Sequence, residues 1–292
     1  MMAIAFLLQT LRIAVPYLLA AAGGVLSERV GVIALGLEGL MLSGAFGAAL
    51  GAYYGDSAWA GLAGALAAGA VMTTILAVAT LRFRANQVVV GVAINLIVVA
   101  GTRYFLRLIF DSSSNSPRVA GFGGEGVGNA MLASFTNPVV WIGLVTLPAL
   151  GWVLYRTPFG LRVRAIGEKP EAAVSLGVNV MRLRVLGLYV AGSMAALGGA
   201  YLALDQHQFT DGMTAGRGFI ALAAVIFGRW QPARVAVACL LFAAAETLQI
   251  QLQGAQLVPS QFVEMIPYVL TIIALAGLVG RSTAPAALGK TE

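Results

Sequence analysis

The stretch Gly160–Arg184, "GLRVRAIGEKPEAAVSLGVNVMRLR", decides how this chain is read. It holds four Arg, one Lys and two Glu, and it lies between two runs that carry no charge, "PVVWIGLVTLPALGWVLY" (138–155) and "VLGLYVAGSMAALGGAYLAL" (185–204). A basic insert flanked by two apolar runs of membrane-crossing length is a loop between transmembrane helices. The rest of the chain agrees. It is 59% hydrophobic and 10% charged, with mean hydropathy +0.88, whereas a soluble domain is about 25% charged. The period-two alternation of a membrane barrel is absent, so the spans are helical.

Working outward, apolar runs fall at 11–27, 33–54, 58–80, 88–110, 138–155, 185–204, 213–228, 235–252 and 262–280. They predict an all-α polytopic membrane protein of about nine transmembrane helices (8–10). The runs continue from end to end, so residues 1–292 form a single transmembrane domain, including the insert 156–184 and a C-terminal tail 281–292. The N-terminal "MMAIAFLLQTLRIAVPYLLAAAGG" has no basic segment before its apolar run, and Arg12 interrupts that run. It reads as a retained first span, with residues 1–10 along the membrane interface, rather than as a cleaved signal.

Charge sets an expected orientation. Alternating the spans puts 28–32, 81–87, 156–184, 229–234 and the C-terminus on one side, with thirteen of the eighteen basic residues. All four Asp fall on the other side. The positive-inside rule then predicts N-terminus out and C-terminus cytoplasmic. The net charge of +6 is explained by these loops and does not call for nucleic acid. His207 is the only histidine and Cys239 the only cysteine, which excludes multi-His metal sites, His-based triads and an intrachain disulfide. There is no phosphate-cradling loop with its Lys-Ser/Thr. The chain reads as no enzyme, with no cofactor or metal of its own.

Small residues recur four apart, at Gly47 and Gly51 and at Gly61, Ala65 and Gly69. That spacing lets helix backbones approach closely in lipid. Polar residues within the spans are costly and need a reason. Glu38, flanked by Gly36 and Gly39, marks a loosened or broken helix, of the kind that exposes backbone near a transport path. Gln87, Gly91 and Asn95 share one helix face, and Glu246, Gln249 and Gln253 form a similar stripe. Glu38, Gln87, Asn95 and Glu246 are the candidate pathway residues; the alternative for each is a structural bond to another helix or to a loop Arg. Arg103 and Arg107 either snorkel outward or pair with outer carboxylates, and Arg107 and Asp111 have the spacing for a pair.

Within the insert, Pro170 suits a helix start and Glu171 its positive end. Ala172, Ala173, Leu176 and Gly177 make a short face of small residues. Such a helix either docks into a groove on a soluble partner or lies in the lipid headgroups.

"EAAVSLG" resembles the E-A-A-x-x-x-G core of the cytoplasmic loop of ABC importer permeases, although the Ile-x-Leu-Pro that follows in that loop is absent here. The resemblance extends over nearly the whole chain. "LSERVGVIALGLEGLMLSGAFGA" (26–48), "RFRANQVVVGVAINLI" (82–97), "RTPFGLRVRAIGEKPEAAVSLGVNV" (156–180) and "GRGFIALAAVIFGRWQPA" (216–233) resemble, in order, the branched-chain amino acid/ribose type of permease. Within that type they are most similar to permeases of nucleoside (purine or simple-sugar) importers. The resemblance implies a bacterial cytoplasmic (inner) membrane protein that works with a paralogous permease subunit or a second copy. It also implies an extracytoplasmic solute-binding protein and cytoplasmic ABC ATPase subunits that hold ATP and Mg. It gives the ATPase-coupling role to Glu171, Ala172, Ala173 and Gly177. The competing expectations are a permease for ribose-like sugars or branched-chain amino acids, an ion-coupled secondary transporter using Glu38 and Glu246, and a membrane scaffold or enzyme subunit.

Overall fold

A computed structural model describes residues 2–122, 136–255 and 284–290. Ten α-helices occupy them: α1 (Met2–Arg29), α2 (Leu37–Gly55), α3 (Ala58–Ala77), α4 (Gln87–Phe110), α5 (Pro138–Arg156), α6 (Pro158–Glu168), α7 (Pro170–Ser175), α8 (Val180–Asp205), α9 (Arg217–Phe227) and α10 (Pro232–Ala255). α3 runs on into one π-helical turn, Val78–Arg82. Five of these helices start where a local side chain serves the orphan N–H groups of the first turn. Ser57 caps α3, Asn86 α4, Asn137 α5, Thr157 α6 and Asn179 α8. Pro138 and Pro158 stand in the first helical turn, where no N–H is missed.

Six helices among the described residues are long and apolar enough to cross a membrane: α1, α3 with its π turn, α4, α5, α8 and α10. α2 is not one of the six. Fourteen of its nineteen residues are buried, because it is wrapped by its neighbours. Packed against α3, α4 and α8, it needs little lipid-facing surface of its own. Close approach is what its glycines supply. A Cβ on Gly44 would stand 2.4 Å from the Ala196 Cα, and one on Gly199 would stand 1.8 Å from the Met41 carbonyl oxygen.

Four expectations change. The expected span 33–54 is α2, which starts only at Leu37 and is not among the six, so the expected nine spans are not confirmed. The expected span 213–228 is the 11-residue α9, about 16 Å long at 1.5 Å per residue and half of what a bilayer core requires. Its first part is not helical, since Gly212 and Gly216 adopt positive φ (64° and 80°). The expected break between an interfacial segment 1–10 and a span 11–27 is absent, and α1 is continuous through Pro16. The insert is shorter than 156–184, because Arg182 and Arg184 already belong to α8. The ninth expected span, 262–280, lies outside the described residues, as does Arg281.

The connections gather at two ends. At one end Gly289 N donates to Gly31 O (3.1 Å), Ala287 N to Gly167 O (2.9 Å) and Arg29 to Trp230 O (3.0 Å). At the opposite end Ser116 N donates to Phe209 O (2.9 Å), Val119 N to His207 O (2.8 Å) and Asp211 N to Ser114 O (2.8 Å). The first group joins segments in or beside the basic connections, and the second joins the Asp-bearing ones.

Candidate functional site

Two helices begin on a glycine. The caps of α2 and α9 are Gly36 and Gly216, and neither has a side chain to offer. The start of α2 is buried and that of α9 half-buried, so their N–H groups require partners from elsewhere. Those partners are the polar residues that looked costly in sequence.

Glu38, 7% exposed, accepts three hydrogen bonds across the bundle: from the Thr214 hydroxyl (2.6 Å), Gly216 N (2.9 Å) and Gly218 N (2.7 Å). It lies in the first turn of α2, so one carboxylate sits at the positive ends of two helices. Gly218 must be glycine for this contact, since a Cβ there would lie 2.5 Å from Glu38 N.

The broken segment before α2 is served the same way. Gln87 Oε1 accepts from Ile33 N (2.8 Å), and Asn95 Oδ1 accepts from Gly39 N (2.8 Å) while its Nδ2 donates to Leu35 O (2.9 Å). Gln87 and Asn95 are eight residues apart on one face of α4, so they reach the segment about 12 Å apart along the helix. Ser27 donates to Val32 O (2.9 Å) and Arg184 to Val30 O (3.3 Å). Glu28 accepts from Ala34 N (3.3 Å) and from the Trp230 indole. Asn95→Leu keeps the volume and strips both bonds. It is expected to cost about 2–4 kcal/mol, two buried backbone groups left unpaired, read as a lower melting temperature of the purified protein.

Glu246 joins from the far side of α9. It accepts from Arg217 (2.6 Å) and from the Tyr17 hydroxyl. Arg217 Nη1 also donates to Met213 O (3.1 Å), just before α9 begins. A connected set of polar contacts therefore runs from α2 through the start of α9 to α10 and α1. Of the four candidate pathway residues, Glu38 and Asn95 meet at the start of α2, Gln87 clamps the segment leading to it, and Glu246 holds the residue that follows Gly216. Glu28, Arg184, Thr214 and Tyr17 belong to the same framework and were not singled out from sequence. The ion pairs among the described residues are Arg12–Asp205, Arg103–Asp211 and Arg217–Glu246. Arg107–Asp111 is not among them.

The insert is a second site. α7 starts at Pro170 and ends at Ser175, and Gly177, with a φ of +78°, is the left-handed stop just beyond it. Val178 N returns to Ala173 O (3.0 Å) and Gly177 N to Val174 O (2.9 Å). Glu171, Ala172 and Gly177 are exposed, as are Val174 (59%) and Leu176 (83%), whereas Ala173 is buried (2%) against the chain itself. The exposed face is thus more apolar than the row of small residues implied.

Six helices long and apolar enough to cross a membrane, among described residues that are otherwise helix and loop, define a polytopic helical membrane protein. The chain is a member of the family of permease components of branched-chain amino acid transport systems, whose model matches residues 6–275. It is 39% identical to the guanosine ABC transporter permease NupQ of Bacillus subtilis, over 96% of this chain and 93% of that protein. It is 33% identical to the nucleoside ABC transporter permease NupC of Lactococcus lactis, over 94% of this chain and 92% of that one. The fold is similar to that of a metal-chelate type ABC transporter solved in an inward-facing conformation. The TM-score is 0.57 at 16% identity, covering 94% of this chain and 85% of the other.

Proposed function

We propose that this chain is the transmembrane permease subunit of an ABC importer for nucleosides. The observation that carries the reading is identity of 39% and 33%, along almost the whole chain, to two permeases of guanosine and nucleoside transporters. The partners are a second permease subunit, paralogous or identical, a cytoplasmic ABC ATPase that holds ATP and Mg, and an extracytoplasmic solute-binding protein. The chain itself binds no ATP. The end of the bundle that gathers residues 29–31, 167, 230 and 287–289 faces the cytoplasm, by its basic loops.

In this reading α7 docks on the ATPase through Glu171, Ala172 and Gly177, with Val174 and Leu176 adding apolar contact. Ala173 anchors α7 to the permease body. ATP-driven closure of the ATPase pulls α7, and α6 and α8, directly joined to it, carry the displacement into the bundle. An ion-coupled transporter would need an intramembrane carboxylate free to exchange its ion. Glu38 and Glu246 accept three and two hydrogen bonds, which supports a structural role for both.

The test is uptake of labelled guanosine into cells lacking the chain, complemented with wild type, Gly177→Arg or Gly177→Asn. Asn tolerates the left-handed backbone, so it separates helix-stop strain from blocked docking. Uptake is expected to return with wild type and Gly177→Asn, to resist competing ribose and leucine, and to fail with Gly177→Arg, whose ATPase no longer copurifies. Uptake unchanged by loss of the chain, in cells without a paralogous importer, overturns the nucleoside reading. Normal ATPase recovery and uptake with Gly177→Arg overturn the coupling assignment alone.

A further inference from the structure

Arg217 borders a feature that the coupling mechanism does not use. A cavity of about 200 Å³ lies between α1, α8, α9 and α10, toward the Asp205 end of the bundle. Gln9 and Arg12 of α1 face Asp205, Gln206 and Arg217 across it, and Pro16 and Ile250 supply apolar wall. Charged groups inside a membrane bundle pair with one another or face a polar cavity, and Arg12, Asp205 and Arg217 do both here.

The chemistry of the wall selects an occupant. Arg12 pairs with Asp205 (3.0 Å) and Arg217 with Glu246 (2.6 Å), so the charges around the cavity balance. A charged solute gains nothing from such a site, while a neutral one with several hydroxyls does. Arg12 holds its guanidinium against the Asp205 carboxylate on the cavity wall, so N–H donors and carboxylate acceptors stand together there. Donor and acceptor side by side suit a vicinal diol, and the apolar wall suits the ring that bears it. The volume takes a sugar ring rather than a drug-sized ligand.

We propose that this cavity is a transit site for the pentose of a nucleoside. Asp205 accepts from its hydroxyls, and Arg12 and Gln206 donate to them. The proposal rests on the nucleoside reading above. Arg217 gives the site a consequence, since it both borders the cavity and holds the start of α9 through Glu246 and Met213 O. A solute hydroxyl that draws on Arg217 weakens the hold on α9.

The experiment uses the complete transporter reconstituted in lipid. Gln206→Cys and Gln9→Cys are introduced separately, on opposite walls, and labelled with a membrane-impermeant maleimide. The native Cys239 is fully buried and contributes little background. Guanosine is the probe and glycerol 1-phosphate stands for a lipid headgroup. Guanosine is expected to slow labelling at both positions. Adding Asp205→Asn is expected to raise the half-protecting guanosine concentration about tenfold, the loss of one hydrogen bond to a charged group. No slowing at either position, in a transporter whose wild type takes up guanosine, overturns the cavity assignment and leaves the function standing. No slowing together with no wild-type uptake overturns both. Slowing by glycerol 1-phosphate and not by guanosine makes this a headgroup site. Failure of both positions to label closes the cavity to water and ends the proposal.

Discussion

Glu38→Ala is expected to destabilise the permease by about 3–5 kcal/mol, the cost of removing one member of a buried charged network. Three donors lose their acceptor at once: the Thr214 hydroxyl, Gly216 N and Gly218 N. Water can replace the carboxylate only by entering the contact between α2 and α9. Glu38→Gln is not a rescue. Its amide oxygen can serve Thr214 and Gly216, but its NH₂ then opposes the Gly218 N–H. Thr214→Val removes one donor together with one of three bonds to the same acceptor, and is expected to cost about 1 kcal/mol. Thermal unfolding of the purified protein measures all three. If Glu38 served only to contact solute, Glu38→Ala would lower uptake and leave the melting temperature where it was.

The second large effect is steric. Gly199→Ala places a Cβ 1.8 Å from the Met41 carbonyl oxygen and 2.7 Å from Ala45 N. Both are backbone atoms of α2, so no side-chain rotation relieves the clash. α2 and α8 must separate by roughly 1.5 Å to reach van der Waals contact, and the packing around them loses its fit. Overpacking of this kind costs about 1–3 kcal/mol or more, here at the most enclosed helix of the bundle. Little folded protein is expected from membranes expressing Gly199→Ala. The neighbouring Gly198→Ala is the control. Its Cβ would approach the Pro16 carbonyl oxygen at 3.2 Å and the flexible Met41 methyl at 3.4 Å, and alanine favours the helix by about 1 kcal/mol. Equal yields of the two variants would show that the α2–α8 approach is not as tight as described.

What the sequence disclosed, and what it withheld, divides along physical lines. Burial cost is a local property, so Glu38, Gln87, Asn95 and Glu246 could be identified as residues needing a partner. Gly36 and Gly39 around Glu38 announced the break before α2. The partners themselves could not be read, because they are mostly backbone groups on remote segments. Asn95 serves Leu35 O and Gly39 N, 60 and 56 residues away. Periodicity places Asn95 on a face but says nothing of a non-helical segment lying against it. Arg184 and Glu28 were hidden by their neighbourhood. Each lies among loop charges, and proximity to a loop looked like exposure, yet Arg184 is 6% and Glu28 3% exposed. The half-length α9 was concealed by hydropathy, which scores composition and not backbone. "TDGMTAGRG" (210–218) held the signal, in glycines that adopt positive φ at 212 and 216.

The contact between Glu38 and Thr214 joins residues 176 positions apart. At about 5–20 residues per second, roughly 10–35 s of synthesis separate the carboxylate from the helix end it will cap. During that interval α2 is a segment that falls short of the hydropathy of a membrane span and carries an unpaired acid. It cannot rest in lipid by itself and depends on α1 and α3 to shelter it. Biogenesis is therefore ordered: an early core forms with its keystone bond open, and only the late arrival of α9 locks it. A chain truncated after residue 205 should consequently insert its first helices and yet remain a substrate for membrane proteases, while one extended through α9 becomes resistant.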